Sequence, residues 1–298
     1  MRVFVTGASG FIGSAVVPEL LAAGHEVVGL ARSDAAAAAV AAAGAEVLRG
    51  SLDDLDRLRA GAAASDGVVH LAFIHDFARY ESAARTDLRA IEAMGGALAG
   101  SDRPLVIASG FVGLPAGRTS TERDTPADSS PRVVSARAAL ALAERGVRSA
   151  VLRLAPSVHG EGDGGFLATL IGVARAKGVA GYPGDGANRW PGVHRSDAAR
   201  LFRLAVEKAP AGSVLHGTAE EGVPTREIAE VIGRHLGLPV ASVDPADAAD
   251  HFGWIGGFFA ADLPASSALT RELLGWQPTG PGLLEDLDQG HYFAAPAA

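Results

Sequence analysis

The segment Thr6-Gly7-Ala8-Ser9-Gly10-Phe11-Ile12-Gly13 sets a glycine at every third position between a short aliphatic run, Val3 to Val5, and a stretch of helical length, Phe11 to Ala23. That context reads as a cradle for a pyrophosphate. Gly7 allows a tight turn, Gly10 lets the backbone approach the anion, and Gly13 lets the helix pack on the strand. Ser9, Phe11 and Ile12 complete the cradle, with the free amides of the helix N-terminus aimed at the phosphates. The end of the second expected strand, Leu30-Ala31-Arg32-Ser33, then bears on which dinucleotide is bound. A carboxylate there would take both ribose hydroxyls and repel a 2′-phosphate. Arg32 instead offers a fixed charge and planar donors, and Ser33 a hydroxyl, so NADP(H) is expected. Asp34 follows directly and in a shifted register would reach the ribose itself.

The elements that must position these residues follow from the apolar pattern. Val3 to Val5, Glu26 to Ala31, Ala45 to Leu48, Gly67 to Ala72 and Leu105 to Ala108 read as buried strands. Helical stretches separate them: Phe11 to Ala23, Asp34 to Ala43, Leu55 to Ala60 and Ala78 to Ala99. Such alternation implies right-handed crossovers and a doubly wound α/β fold of the Rossmann type, its parallel sheet covered on both faces. Gly24 suits a left-handed helix cap, and Ser130-Pro131 a capping hydroxyl before a first-turn proline. The alanine-rich stretch Asp34 to Gly44 reads as a surface helix without chemistry. After the strand Ser149 to Leu154, Gly-rich loops precede a helix, Ser196 to Lys208, and a strand, Ser213 to His216, that returns to the sheet. Residues 1–154 and 196–220 are thus expected to form the dinucleotide-binding domain. Residues 155–195 and 221–298, with helices at Arg226 to Leu236 and Ser266 to Leu274, form a smaller substrate lobe.

Composition narrows the classes. A chain of 298 residues, 48% hydrophobic and 20% charged, buries a full core as a globular protein. The net charge of -8 argues against a nucleic-acid partner, whose affinity comes from clustered Lys and Arg. With no cysteine, disulfides and thiol chemistry are excluded. No signal-like opening and no apolar run of ~18 residues is seen, so no membrane association is expected and a cytoplasmic location is the default. No clustered His/Glu spacing supports a catalytic metal.

The glycine spacing resembles that of short-chain dehydrogenases/reductases, and three further segments extend the resemblance to the extended, epimerase/dehydratase-like branch. Val69-His70-Leu71-Ala72 is similar to the strand-four segment beside the cofactor, so Leu71, Ala72 and Phe73 are expected there. Leu152-Arg153-Leu154-Ala155-Pro156-Ser157-Val158-His159-Gly160 is similar to the nicotinamide-side loop, which implicates Pro156 and Val158. Val193-His194-Arg195-Ser196-Asp197-Ala198-Ala199 resembles a segment joining the substrate lobe to a helix. The resemblance covers about the first 220 residues. It also places Ser51 where the family often has an adenine-contacting Asp, with Leu52 beside it.

The resemblance further implies a Tyr and, four residues later, a Lys on the helix after strand five, where Lys lowers the tyrosine pKa for proton exchange with the substrate oxygen. This chain has neither there. Its only tyrosines are Tyr80, Tyr182 and Tyr292 and its only lysines Lys177 and Lys208; Arg132 and Ala136 stand at the two places. Ser109 matches the family's catalytic Ser/Thr and would hold a carbonyl or imine, unless it merely bonds backbone. Substitute proton donors are His159, which stands where the family often has Tyr, His75-Asp76 in the loop after strand four, and Tyr182, with Arg189, in the lobe. Each has a plain structural reading as well, as do Ser135 and Arg137; His70 reads as a packed strand histidine. The aromatic segment His251 to Phe259 reads as core packing, a substrate wall or a subunit contact. The expected activity is NADPH-dependent reduction of a small carbonyl or imine compound. A sugar-nucleotide epimerase or dehydratase and a non-catalytic dinucleotide sensor are the alternatives, the sensor favoured if Trp190, Trp254 or Phe258 fills the pocket beside nicotinamide. Hydrolases lack support, because no Gly-x-Ser-x-Gly elbow occurs. Ala78 to Ala99 and Pro131 to Arg145 lie where the family often dimerises, so a homodimer and a monomer are both admissible.

Overall fold

A computed structural model describes residues 1–75, 79–111, 113–127 and 130–294. Asp76 and Ala78, named above, lie outside the described residues. The first half runs β1 (Arg2–Thr6), α1 (Gly13–Ala22), β2 (Glu26–Ala31), α2 (Asp34–Ala42), β3 (Glu46–Arg49), α3 (Leu55–Ala63), β4 (Gly67–His70), α4 (Tyr80–Leu98), β5 (Pro104–Gly110), α5 (Pro131–Ala141) and β6 (Arg148–Leu154). There follow β7 (Ser157–His159), α6 (Phe166–Lys177), β8 (Ala180–Pro183), β9 (Arg189–His194), α7 (Arg195–Lys208), β10 (Ser213–Gly217), β11 (Glu220–Pro224), α8 (Thr225–Leu236) and β12 (Val240–Val243). Four short helices end the chain: α9 (Ala248–Phe252), α10 (Gly256–Phe259), α11 (Ala268–Leu274) and α12 (Leu283–Asp288).

Seven strands form one parallel sheet in the order β10-β6-β5-β4-β1-β2-β3. The doubly wound α/β fold is therefore as the alternation implied. Strand order reverses between β1 and β4, and the crevice at the carboxyl ends of such strands is where ligands bind. Side-chain alternation in β1 feeds both faces. Val3 and Val5 pack with α1 and α7 residues such as Leu20 and Phe202, whereas Phe4 joins Leu58, Ile91 and Met94 from α3 and α4. A third core gathers Leu170, Trp190, Ile228, Phe252, Phe259 and Leu287 around the small sheets β11-β9-β7 and β12-β8.

Local punctuation holds in most places. Gly24 is left-handed at φ 84°, with its amide donating to Leu21 and that of His25 to Leu20. The first helix begins at Gly13 rather than Phe11, because residues 9–12 belong to the turn. Pro131 occupies the first turn of α5, but the Ser130 hydroxyl caps nothing; its backbone carbonyl accepts the Val133 amide instead. α5 itself stops at Ala141, and a 3-10 turn, Leu142–Arg145, carries the chain to left-handed Gly146. Among the described residues no helix is long and apolar enough to cross a membrane.

Candidate active site

The cradle is built at the β1 end. Gly7 turns at φ 69° and accepts the Gly10 amide at 2.9 Å. A Cβ on Gly13 would stand 2.0 Å from the Gly7 carbonyl oxygen, and one on Gly7 2.8 Å from the Ala72 nitrogen, so the turn, helix and β4 end pack with no room for side chains. The amides of Phe11 and Ile12 have no acceptor among the described residues. Free amides at a helix N-terminus beside a closed glycine turn fit a dinucleotide pyrophosphate.

Thr6 ties this turn to the neighbouring strand. Its hydroxyl accepts the Ala72 amide at 3.2 Å and lies 2.7 Å from His70 Nδ1, while His70 Nε2 lies 3.2 Å from the Asp87 carboxylate on α4. One assignment satisfies all three contacts: Thr6 donates to Nδ1 and the Nε2 proton goes to Asp87. Burial opposes ionisation of Asp87, but the hydrogen bond from His70 and the charge of Arg132 hold its pKa below the ordinary carboxylate value. His70 is thus packed, as expected of a strand histidine, but it also links the cradle to a buried carboxylate.

At the other end of β2, the Arg32 side chain is exposed and has no partner among the described residues. Ser33 caps α2, its hydroxyl accepting the Ala36 amide at 3.2 Å. Asp34 is engaged by Arg49, which also donates to the Ser33 carbonyl at 2.6 Å. Two guanidinium groups therefore flank the strand ends, with the one nearby carboxylate on α2 already paired. Ser51 accepts the Asp53 amide at 3.3 Å, and Leu52 leans on the core beneath.

At the ends of β4 and β5 the structure assembles a second group. Arg132, on the first turn of α5, donates from Nη2 to the Ala108 carbonyl at 2.7 Å and lies 4.1 Å from the Phe73 ring centroid. Ser109, the next residue of β5, is half-buried and its hydroxyl bonds no group among the described residues. His75 meets Phe73 edge-on at 5.4 Å. Although His75 retains contact with solvent, desolvation and then the charge of Arg132 lower its pKa, which favours the neutral ring. A neutral imidazole accepts protons more readily than it gives them.

The other expected donors lie apart from this group. His159 is fully enclosed, its Nδ1 2.9 Å from Asp286 of α12, and its Nε2 has no partner among the described residues. A sealed imidazole has no path for proton exchange with a ligand in the crevice. Neighbouring Pro156 is half-buried, and Val158 pairs with Val193 of β9 while leaning on the main core. Tyr182 sits on β8 with the Arg226 guanidinium 5.7 Å from its ring centre. Arg189 is held by Asp262 through two side-chain contacts at 3.0 and 2.9 Å. Ser135 is buried on α5 and Arg137 exposed. Phe252, Ile255 and Phe259 of the aromatic segment join the lobe core, whereas Trp254 is exposed; Phe166 contacts Trp190, Trp254 and Phe258, and Trp190 donates to the Phe258 carbonyl at 3.0 Å. No ring contact joins Phe166, Trp190 or Phe258 to Phe73 among the described residues.

Asp87 was missed by inspection of the sequence. It interrupts the run of apolar residues Ala83, Ala84, Ala90, Ile91 and Met94 on the buried face of α4, and that break in a helical period was the available signal. Arg195 was missed too; its guanidinium carbon lies 5.4 Å from the Phe11 ring centre and its stem packs on Gly160.

Residues 3–216 match the family model described as NAD dependent epimerase/dehydratase family. The chain belongs to that family. Among its relatives, an uncharacterized protein of Schizosaccharomyces pombe is 50% identical over 98% of this chain and 100% of its own length. A 3-diazoavenalumate denitrifying reductase of a Streptomyces species is 30% identical over 96% of this chain and 99% of that one. Among solved structures, MoeE5 in complex with UDP-glucose and NAD aligns with a TM-score of 0.74 at 25% identity, covering 96% of each chain. Within α5 (Pro131–Ala141) there is neither a tyrosine nor a lysine, and Arg132 and Ala136 lie one helical turn apart on it.

Proposed function

We propose that this family member is an NADP(H)-dependent oxidoreductase that reduces a small carbonyl or imine compound. The carrying observation is Arg32, an exposed guanidinium with no acceptor among the described residues at the end of β2, beside an Asp34 already engaged by Arg49. A 2′-phosphate supplies the missing acceptor there. When bound, the dihydronicotinamide supplies a hydride from its C4. Gly7, Ser9, Gly10 and Gly13, with the free amides of Phe11 and Ile12, hold the pyrophosphate. Ser33 would lie beside the 2′-phosphate, Ser51 and Leu52 would flank the adenine, and Leu71, Ala72, Phe73, Pro156 and Val158 would wall the nicotinamide. Ser109 donates to the acceptor atom of the substrate. The proton comes from water, because burial leaves His159 no route and His75 is held neutral.

The 30% identity to a reductase over 96% of this chain supports a reductase reading. The test is NADPH consumption by the purified protein against a panel of carbonyls, quinones and imines. Turnover of any panel member carries the reading. NADPH binding without turnover moves the weight to a dinucleotide sensor, and tightly retained NAD+ in the purified protein moves it to an epimerase.

A further inference from the structure

We propose that Arg132 is a catalytic residue that holds the acceptor oxygen as an anion, and that the acceptors are conjugated carbonyl compounds of the quinone class. This rests on the reductase reading above and names its substrate class. Three features of the site carry it. Arg132 stands in the first turn of α5, where the family's proton-donating tyrosine is expected, and its Nη2 is anchored on the carbonyl of the residue preceding Ser109. The guanidinium is half-buried, packs on Phe73, and touches no carboxylate among the described residues. The hydroxyl of Ser109, the residue after that anchoring carbonyl, is also without a partner among the described residues. A partly desolvated cation with unused N–H donors next to a free hydroxyl is a binding site for an oxyanion. Asp87, one layer behind, offsets part of the charge without occupying those donors.

The chemistry then selects the substrate. A guanidinium keeps its proton at any ordinary pH, so Arg132 stabilises negative charge but cannot act as an acid. Hydride addition to an isolated ketone yields an alkoxide more basic than hydroxide, and that step demands a proton donor in the transition state. Hydride addition to a quinone yields instead a phenolate, whose conjugate acid has a pKa of roughly 10, like tyrosine. Such an anion forms beside Arg132 and Ser109 without concerted protonation. In the balanced reaction, NADPH and a quinone give NADP+ and the hydroquinone monoanion. The C4–H bond of the cofactor breaks, both electrons pass with the hydride, and the pair comes to rest on the oxygen held by Arg132. Water then protonates that oxygen and the hydroquinone leaves.

The experiment compares the intact protein with Arg132→Met and Arg132→Lys. It measures NADPH consumption with para-benzoquinone and with cyclohexanone, and calorimetric binding of para-nitrophenolate, a stable phenolate, to NADP+-loaded protein. The expected result is turnover of the quinone in strong preference to the ketone. Arg132→Met lowers the quinone kcat by about 100-fold or more, the scale of losing an oxyanion donor. It also abolishes para-nitrophenolate binding while leaving the NADPH Kd unchanged, and Arg132→Lys, which keeps the charge, restores part of both. Equal quinone turnover and phenolate binding in Arg132→Met, or preference for cyclohexanone, overturns the assignment and leaves the reductase reading standing. Failure of the unaltered protein to bind NADPH overturns both.

Discussion

Replacement of Arg32 by alanine isolates the cofactor argument, because its side chain is exposed and bonds nothing among the described residues that its loss would disturb. Hydrogen bonds to charged groups contribute about 1.5–3 kcal/mol, and solvent and salt at an exposed site push the value to the lower half of that range. With about 1.4 kcal/mol per tenfold in Kd, Arg32→Ala is expected to weaken NADPH by roughly 10- to 30-fold. NADH, which presents no phosphate there, should change by less than about twofold, within the small scatter of a substitution that touches nothing else. Calorimetric titration of both dinucleotides at two ionic strengths reads this directly, and the NADPH preference should shrink at the higher one. Asp34→Asn provides the opposite arm: it removes the carboxylate that engages Arg49 and tightens NADPH. The reasoning is refuted if the unaltered protein binds NADH as tightly as NADPH, or if Arg32→Ala weakens both equally.

Gly13→Ala places a methyl 2.0 Å from the Gly7 carbonyl oxygen, so the turn must open; a loss of about 1–3 kcal/mol in stability, read as a lower Tm, should accompany at least tenfold weaker dinucleotide binding. Asp286→Ala leaves the enclosed His159 without its partner and should cost about 3–5 kcal/mol by chemical denaturation. Because the Asp286 pKa is depressed despite burial, by the hydrogen bond from His159, its contribution is present above the ordinary value of 3.8 and is lost as pH falls below it. His216 sets a second window: its Nδ1 donates to the Ser266 carbonyl and its Nε2 accepts from Arg153, so the ring must be neutral. Burial lowers its pKa from 6.5 to about 4, so its contribution, on the order of 3 kcal/mol, is complete above 6.5 and is lost as pH falls toward 4. A Tm that stays flat between those values, or slopes equally in His216→Gln, would falsify that assignment.

The Rossmann half was legible because each of its first six strands is a short aliphatic run with a helix behind it, and, apart from the crossover from β3 to β4, strands consecutive in sequence from β1 to β6 are neighbours in the sheet. The lobe was not. Its strands are as brief as Ser157–His159, or carry Gly and Pro as in Ala180–Pro183 and Arg189–His194, and their pairing partners lie far along the chain. Candidate residues divide the same way. The glycine cradle is local, so its spacing disclosed it. The state of His159 depends on Asp286, 127 residues onward, and nothing in the sequence around His159 announces that burial. Arg132 was visible as a residue out of place, but its seat between Phe73 and the Ala108 carbonyl is made by three separate elements.

The two departures on α5 are coherent with one another. A lysine at position 136 would lie one helical turn from Arg132, and like charges at that spacing repel by a few tenths of a kcal/mol on an exposed helix, more where the site is partly desolvated. The lysine's role in the family is to depress a tyrosine pKa, and with no tyrosine that role is void. Ala136 removes the repulsion, and the charges of Asp87 and Arg132 favour one another. The cradle, meanwhile, keeps its glycines, its free amides and the Thr6 link to β4. Decay of a catalytic site would not be expected to replace an acid by a cation while its charge partner remains buried and ionised behind it. On the proposal above, the pattern fits a site that stabilises an anion rather than donates a proton.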